Sequence, residues 1–418
     1  MIRIGNPIIE NQEGKTTLKA FISNDAEGVN EWLWYSTDDA YGKYFCQEVA
    51  DAFVLPMILR AVKTHQNIVV ESSMSEKLFY NLNDSVFYAV TKAYQKKYGK
   101  HHEEIVKVEC DNLVSNVFTP TAVGTGCSLG VDSFAVLKHH FLSEDCPRSY
   151  KITHIALFNA GAYGHIDVEG ARHSFERERD KTKMFADSLG LPFVWVDSNV
   201  RSFFPEGSFD WCHTYLNMGI VLSMQKLWKK YLYASSVSID YFEFSVDFCG
   251  HYEPYLLPHL STEVTELVPA SMNMRRSDKV KYISTEKIVQ ENLNVCLKEQ
   301  SANTPGIERY QGNYLNCGRC QKCLRTMLQL DILGVLNDFS KIIDLEEWPK
   351  LKDRYIAEVI VNKSDSLMLK DLHESMLEHD YLIPEASKTY VKCMTSKRYA
   401  KRMRWKRRFH RILNRLKK

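Results

Sequence analysis

Apolar residues between positions 45 and 63 fall at helical spacing, with Ala50, Phe53, Val54, Met57, Ile58 and Ala61 along one face, which predicts a helix there. A second helix is expected over 85–98, and short apolar runs at 18–22 and 68–70 read as strands. This stretch carries no chemical motif, so residues 1–115 read as a mixed, mostly helical accessory domain. From about residue 104 the rhythm changes. Strand-like runs at 105–108, 121–124, 152–158 and 193–196 alternate with helical patterns at 133–141 and 171–189. Strands and helices alternating at this pitch predict an α/β fold, a mostly parallel doubly wound sheet with helices on both faces. Beyond 335 the chain reads as helical and charged, interrupted at Pro349 and Pro384, and no internal repeat is visible.

A chain of 418 residues has room for one large domain with appendages or for two cores. Apolar runs stay well short of the roughly 20 residues of a membrane-spanning helix. The opening Met1-Ile2-Arg3-Ile4-Gly5 lacks the apolar core of a secretory signal. Eleven cysteines, three of them crowded together, suit a reducing cytoplasm and a metal site better than a disulfide framework. The net charge of +2 conceals an asymmetry, because residues 397–418 hold 12 Lys and Arg and no acid. In that tail Trp405, Phe409, Ile412, Leu413 and Leu416 share one helical face. A basic amphipathic helix suits an anionic membrane surface at the inner face of the membrane, an RNA backbone, an acidic protein, or this chain's own acidic body.

The sharpest local feature is Gly126-Cys127-Ser128-Leu129-Gly130-Val131-Asp132-Ser133, between an apolar strand and an apolar helix. Small residues let the backbone turn tightly so that successive amides face an anion, and the helix adds its positive end. Ser128 and Ser133 offer hydroxyl donors, and Asp132 can hold magnesium or orient phosphates. Without the lysine of a Walker loop, γ-phosphate transfer is not suggested. Cys127, beside a helix N-terminus, is expected to be activated. The same letters also spell a Gly-x-Ser-x-Gly nucleophile elbow, with Ser128 as nucleophile, Asp197 or Asp247, and His251 or His259. A strand-to-helix turn without any ligand is the third reading.

Cys317, Cys320 and Cys323 form a Cys-x2-Cys-x2-Cys run, and Cys296 is the nearest upstream thiol. Four thiolates suit a tetrahedral structural zinc; Cys393 and His251 are weaker candidates for the fourth position, and an iron–sulfur cluster fits these spacings less well. The remaining cysteines read as small core residues.

In the loop, Ser128, Gly130, Asp132 and Ser133 match the Ser-Gly-Gly-x-Asp-Ser signature in register, with Leu129 where the first glycine stands, so the chain resembles the PP-loop ATP pyrophosphatases. Combined with the C-terminal cysteine knot, the likeness extends over roughly 121–335 to the 7-cyano-7-deazaguanine synthase group. This resemblance implies a HUP-type domain that binds ATP and magnesium and splits ATP into AMP and pyrophosphate. A carboxylate or nucleobase oxygen is adenylated, then attacked by an amine or ammonia. The implied catalytic residues are Ser128, Asp132 and Ser133. Residues 126–133, with Phe158 and Asp197 at later strand ends and the cations Arg276 and Lys279, would bind the nucleotide.

The corresponding organisation is an ATP-binding domain at 116–290, a zinc subdomain at 291–335, a helical region at 336–396 and the tail at 397–418. Modification of a tRNA base is a second enzyme reading, and a non-catalytic nucleotide-binding scaffold, motivated by Leu129, is a third. Asp240, Asp247, His251, Glu253 and His259 lie between the motifs as polar candidates. Ser235–Ser238 could open a substrate pocket, and Trp211, Cys212 and His213 could wall it.

Overall fold

Strand formation in the first half of the chain runs further than its apolar runs suggest. The computed structural model describes residues 1–24, 26–99, 104–163, 171–205, 207–296 and 312–396. Within them lie β1 (Ile2–Ile4), β2 (Ile8–Gln12), β3 (Lys15–Asn24), β4 (Val29–Asp38), β5 (Ile68–Ser75) and β6 (Val108–Val114). Then follow β7 (Ala122–Gly126), β8 (His154–Phe158), β9 (Phe193–Ser198), β10 (Trp228–Ala234) and β11 (Glu266–Ala270). All eleven join one sheet in the order β11-β10-β7-β8-β9-β4-β3-β1-β5-β6, with β2 paired to β3. The fold is therefore mixed α/β with a large, mostly parallel sheet.

The five strands from β11 to β9 are mutually parallel. Counted from β7, their spatial order is 3-2-1-4-5 read from β9 to β11, the order of a doubly wound sheet whose direction of winding reverses between β7 and β10. The connections run through the helices Val131–Leu137, Ala171–Ser188 and Phe209–Ser223, as βα alternation requires. β7 and β8 are short and almost continuously buried, as strands covered on both faces must be.

The chain divides into two compact units, Met1–Met274 and Arg275–Lys418. One expectation is corrected here. The first 115 residues are not mostly helical. Their strands continue the sheet: β4 pairs antiparallel with β9 through Tyr35–Ser198 and Ser36–Asp197. Ile2, Leu18, Tyr35 and Phe53 share one core with Phe158, Val194, Tyr215 and Tyr231. Polar side chains at alternate positions of β3 face away from this core, which hid a ten-residue strand behind a five-residue apolar run. The helix Asp51–Thr64 packs so closely on Phe209–Ser223 that a side chain at Gly219 would begin 2.9 Å from the Ala52 carbonyl.

Residues 275–290 fall in the second unit, with the helices Arg276–Ile283 and Lys287–Asn292. That unit adds the helices Gln321–Ile332, Trp348–Asn362, Leu367–Glu378 and Glu385–Thr395. Pro349 and Pro384 fall at breaks between helices, in the first turn of one helix and at the N-cap of another, where a missing N–H costs nothing. No helix among the described residues is long and apolar enough to cross a membrane. The basic tail, 397–418, lies outside the described residues.

Candidate functional site

The Gly126–Ser133 loop leaves the sheet at the carboxyl end of β7, on the reversal point of the strand order. Open α/β sheets bind ligands in the crevice outside these strand ends. The backbone is held first by the Cys127 N–H, which donates to the Ala156 carbonyl at 2.9 Å. Leu129 then adopts a left-handed conformation, φ 56°. Gly130 is extended and serves as N-cap of the helix Val131–Leu137, its carbonyl accepting from the Phe134 N–H at 3.0 Å. The two serines lock the turn: the Ser128 N–H donates to Ser133 Oγ at 3.2 Å, and the two hydroxyl oxygens lie 3.3 Å apart. Thr182, from the helix Ala171–Ser188, donates to the Cys127 carbonyl at 3.3 Å and ties the loop to its neighbour.

A leucine in the left-handed region costs roughly 1–2 kcal/mol relative to glycine. Leu129 is only 4% exposed. Burying its side chain contributes about 1.5–3 kcal/mol, enough to offset the backbone cost. Leu129 therefore holds a left-handed conformation that glycine would adopt without strain. Asp132 sits in the first turn of the helix, where a negative charge is favoured by the macrodipole.

Phe158 and Asp197 also sit at the carboxyl edge, on the adjacent strands β8 and β9. The Phe158 ring stacks on Tyr231 at 5.7 Å between centroids and is buried in the core. Asp197 accepts from Asn159 Nδ2 at 2.7 Å and from the Ser198 N–H at 2.9 Å, which fastens the ends of β8 and β9 together. The cations expected at the nucleotide stand in the other unit: Arg276 and Lys279 lie on the helix Arg276–Ile283, and Lys279 is fully buried. Their neighbour Arg275 is spent within that unit on Asp278 at 3.3 Å, Glu374 at 3.2 Å and Glu378 at 2.8 Å, so it is not a spare phosphate ligand.

Cys127 is not activated. Burial pushes its thiol up to about 12, which overrides the nearby helix end. Nor does the hydrolase constellation assemble: among the described residues no hydrogen bond joins Ser128 to Asp197, Asp247, His251 or His259. Ser128 Oγ meets Ser133, Asp247 pairs with Lys97, and His259 Nδ1 lies 2.7 Å from the Tyr255 carbonyl. Trp211 packs against Phe204 and Cys212 is core. Cys393 is exposed rather than buried.

Sequence reasoning missed a buried polar cluster behind β10. His213 and Thr214, on Phe209–Ser223, meet Tyr233 from β10 and Cys249 and Glu253 from the chain beyond it. Thr214 Oγ1 donates to Glu253 Oε1 at 2.8 Å and lies 3.2 Å from Cys249 Sγ. Of these, only His213 and Glu253 stood out in the sequence, and nothing there linked them.

The second site is the cysteine cluster of the C-terminal unit. Cys296, Cys317, Cys320 and Cys323 are buried, and their sulfurs all lie within 4.8 Å of one another. Four thiolates around zinc at the usual bond length stand about 3.8 Å apart. Cys317 and Cys323 sulfurs are separated by 3.9 Å. The backbone turns its N–H groups onto the sulfurs, Cys317 to Cys296 at 3.5 Å, Cys320 to Cys317 at 3.4 Å and Cys323 to Cys320 at 3.4 Å, which stabilises thiolate charge. Gly318 makes the turn possible: its φ is +65°, and a side chain there would begin 1.9 Å from the Asp344 carbonyl. Asn316 anchors the frame, its amide donating to the Leu293 carbonyl at 2.7 Å and accepting from the Val295 N–H at 2.8 Å. Thiols this close do not ionise independently. Contact with Cys296 pushes Cys317 down to about 6, while their neighbours hold Cys296 and Cys323 up. The cluster can hold one metal ion and is compatible with zinc.

No family model matches this chain, and no curated protein or solved structure does so either.

Proposed function

We propose that the first unit binds ATP in the crevice at the carboxyl ends of β7 and β10 and cleaves it between the α and β phosphates. One observation carries this reading: the Ser128–Ser133 turn, with Leu129 left-handed, opens a helix at the reversal point of a doubly wound sheet, where an anion can meet successive amides. In that arrangement the amides from Leu129 onward and the Ser128 and Ser133 hydroxyls face the departing pyrophosphate. Preorganised donors stabilise charge that develops in the transition state better than charge in the ground state. Asp132 would hold magnesium, which neutralises the leaving group. An acceptor oxygen, from a carboxylate or a nucleobase, attacks the α phosphorus in line, and an amine or ammonia then displaces AMP. In the second unit the four cysteines would hold zinc as a structural ion, since four thiolates leave no open position.

The test is product analysis with α-labelled ATP, magnesium and a panel of carboxylates, nucleobases and bulk tRNA. AMP and pyrophosphate are expected, with the rate falling at least 100-fold in Asp132→Ala. ADP and phosphate would sink the reading. ATP binding with no product would turn it into a nucleotide-binding scaffold, and turnover with tRNA alone into base modification.

A further inference from the structure

Beside the loop, β10 presents a wall of polar side chains that phosphate binding leaves unused. Tyr231 and Tyr233 point to the same face of β10, because side chains alternate along a strand. A side chain on Gly126 would begin 3.1 Å from the Tyr231 hydroxyl. The pairs Tyr231–Gly124 and Leu232–Thr125, continued by one residue, set Tyr233 level with Gly126 at the start of the loop. The Tyr233 phenol lies 3.2 Å from His213 Nδ1, and Thr214 Oγ1 lies 3.3 Å from the same nitrogen. Thr214 is oriented in turn by its bond to Glu253. Just past the end of β10, Ser236 Oγ is buried with no hydrogen-bond partner among the described residues. Gly250 closes over it, since a side chain there would begin 2.9 Å from that oxygen.

The His213 imidazole and the Tyr233 phenol are held in their neutral forms. Burial pushes the His213 imidazole down to about 4, and burial together with Glu253 and Cys249 raises the Tyr233 phenol well above its usual value. The wall thus offers hydroxyl and imidazole groups and no positive charge. A carboxylate brought against it would be desolvated without a counter-ion. An uncharged amide, with a carbonyl and an N–H side by side, finds both acceptor and donor. A buried hydroxyl such as Ser236, which is costly when unpaired, would be satisfied by such a ligand.

We propose that Tyr233, His213 and Ser236 are specificity-determining residues that select an uncharged, amide-type edge of the acceptor over a carboxylate. The inference rests on the crevice reading only in placing the acceptor beside the loop, and it can be tested without turnover. Matched probes serve: nicotinamide against nicotinate, and uracil against orotate, titrated by ligand-observed NMR into the full-length chain. At least one uncharged member should bind 10-fold or more tighter than its carboxylate partner. Tyr233→Phe and Ser236→Ala should each weaken that binding about 10-fold, the scale of one specific hydrogen bond, with circular dichroism and ATP affinity unchanged. Carboxylates binding as tightly, neither uncharged probe binding, or both variants binding like the wild type would overturn it. A chain that prefers the amides but forms no AMP would keep this inference and lose the adenylation reading, and AMP formation without the preference would do the reverse.

Discussion

Two residues show how local chemistry is spent in this fold. Leu129 trades a strained backbone for a buried side chain, and the two terms are of similar size. Leu129→Gly removes both, so its net cost should be about 1 kcal/mol. Leu129→Val, β-branched and shorter, keeps the strain and loses part of the burial, and should cost more than the glycine variant. Urea denaturation of both variants checks the order; the reverse order would mean that the left-handed turn is not what the position demands. Asp51 shows the opposite economy. It is fully buried and accepts from the Ser75 N–H at 2.9 Å, from the Ser75 hydroxyl, and from Gln225 Nε2 at 2.9 Å. Burial outweighs these bonds and raises its pKa. The folded state therefore holds the proton more tightly than the unfolded chain does. That contribution is complete below the unfolded value of about 4 and is lost as pH rises through the folded value. Asp51→Asn should remove this term, so the difference in unfolding free energy between variant and wild type should shift in the variant's favour as pH rises from 4. A difference that stays flat with pH would count against a raised carboxyl.

At the scale of elements, the cysteine knot is a turn, a helix start and two flanking strands of chain that meet at one point. Its spacing was legible because three ligands lie within seven residues and thiolate geometry is demanding. Its frame was not legible: Asn316 adjoins the cysteine run with no mark of its role, Asp344 comes from a segment with no motif, and only contact reveals them. Structural zinc contributes on the order of 10–16 kcal/mol in small domains, which rivals the whole stability of a typical domain. Stripping the metal with a strong chelator should therefore abolish the melting transition of the second unit, and zinc should restore it. Gly318→Ala should do the same without a chelator, because no L-residue fits both the positive φ and the Asp344 contact. Metal content by mass spectrometry checks both, and a Gly318→Ala protein carrying one zinc per chain would refute the packing argument. The Gly126–Ser133 letters were equally legible, but the buried cluster around Thr214 was not, because its members come from four separate elements and nothing in the sequence links them.

At the scale of the molecule, helical periodicity and βα alternation identified the parallel strands β7 to β9 closely, since both faces of those strands are apolar. Of the N-terminal strands, β3 and β5 were caught only in part and β1, β2 and β4 escaped, because polar side chains interrupt their apolar positions and strand pairing is non-local. What alternation could not reveal is that the sheet does not stop at β9. Tyr35 and Ser36 pair with Ser198 and Asp197, Thr37 Oγ1 donates to the Trp195 carbonyl at 2.6 Å, and the Tyr35 hydroxyl donates to the Ala52 carbonyl at 2.8 Å inside the common core. β9 is thus an interior strand that holds Asp197 at the carboxyl edge. Removing residues 1–115 would bare its edge and one side of the core, and unpaired apolar edges associate. A chain beginning at residue 116 should therefore aggregate or expose its loop to rapid proteolysis. Supplying residues 1–115 as a separate polypeptide during refolding should recover a soluble complex. If instead the truncated chain were monomeric, resisted protease like the full chain and bound ATP with the same affinity, the N-terminal strands would be an appendage. The continuous sheet would then play no part in forming the site.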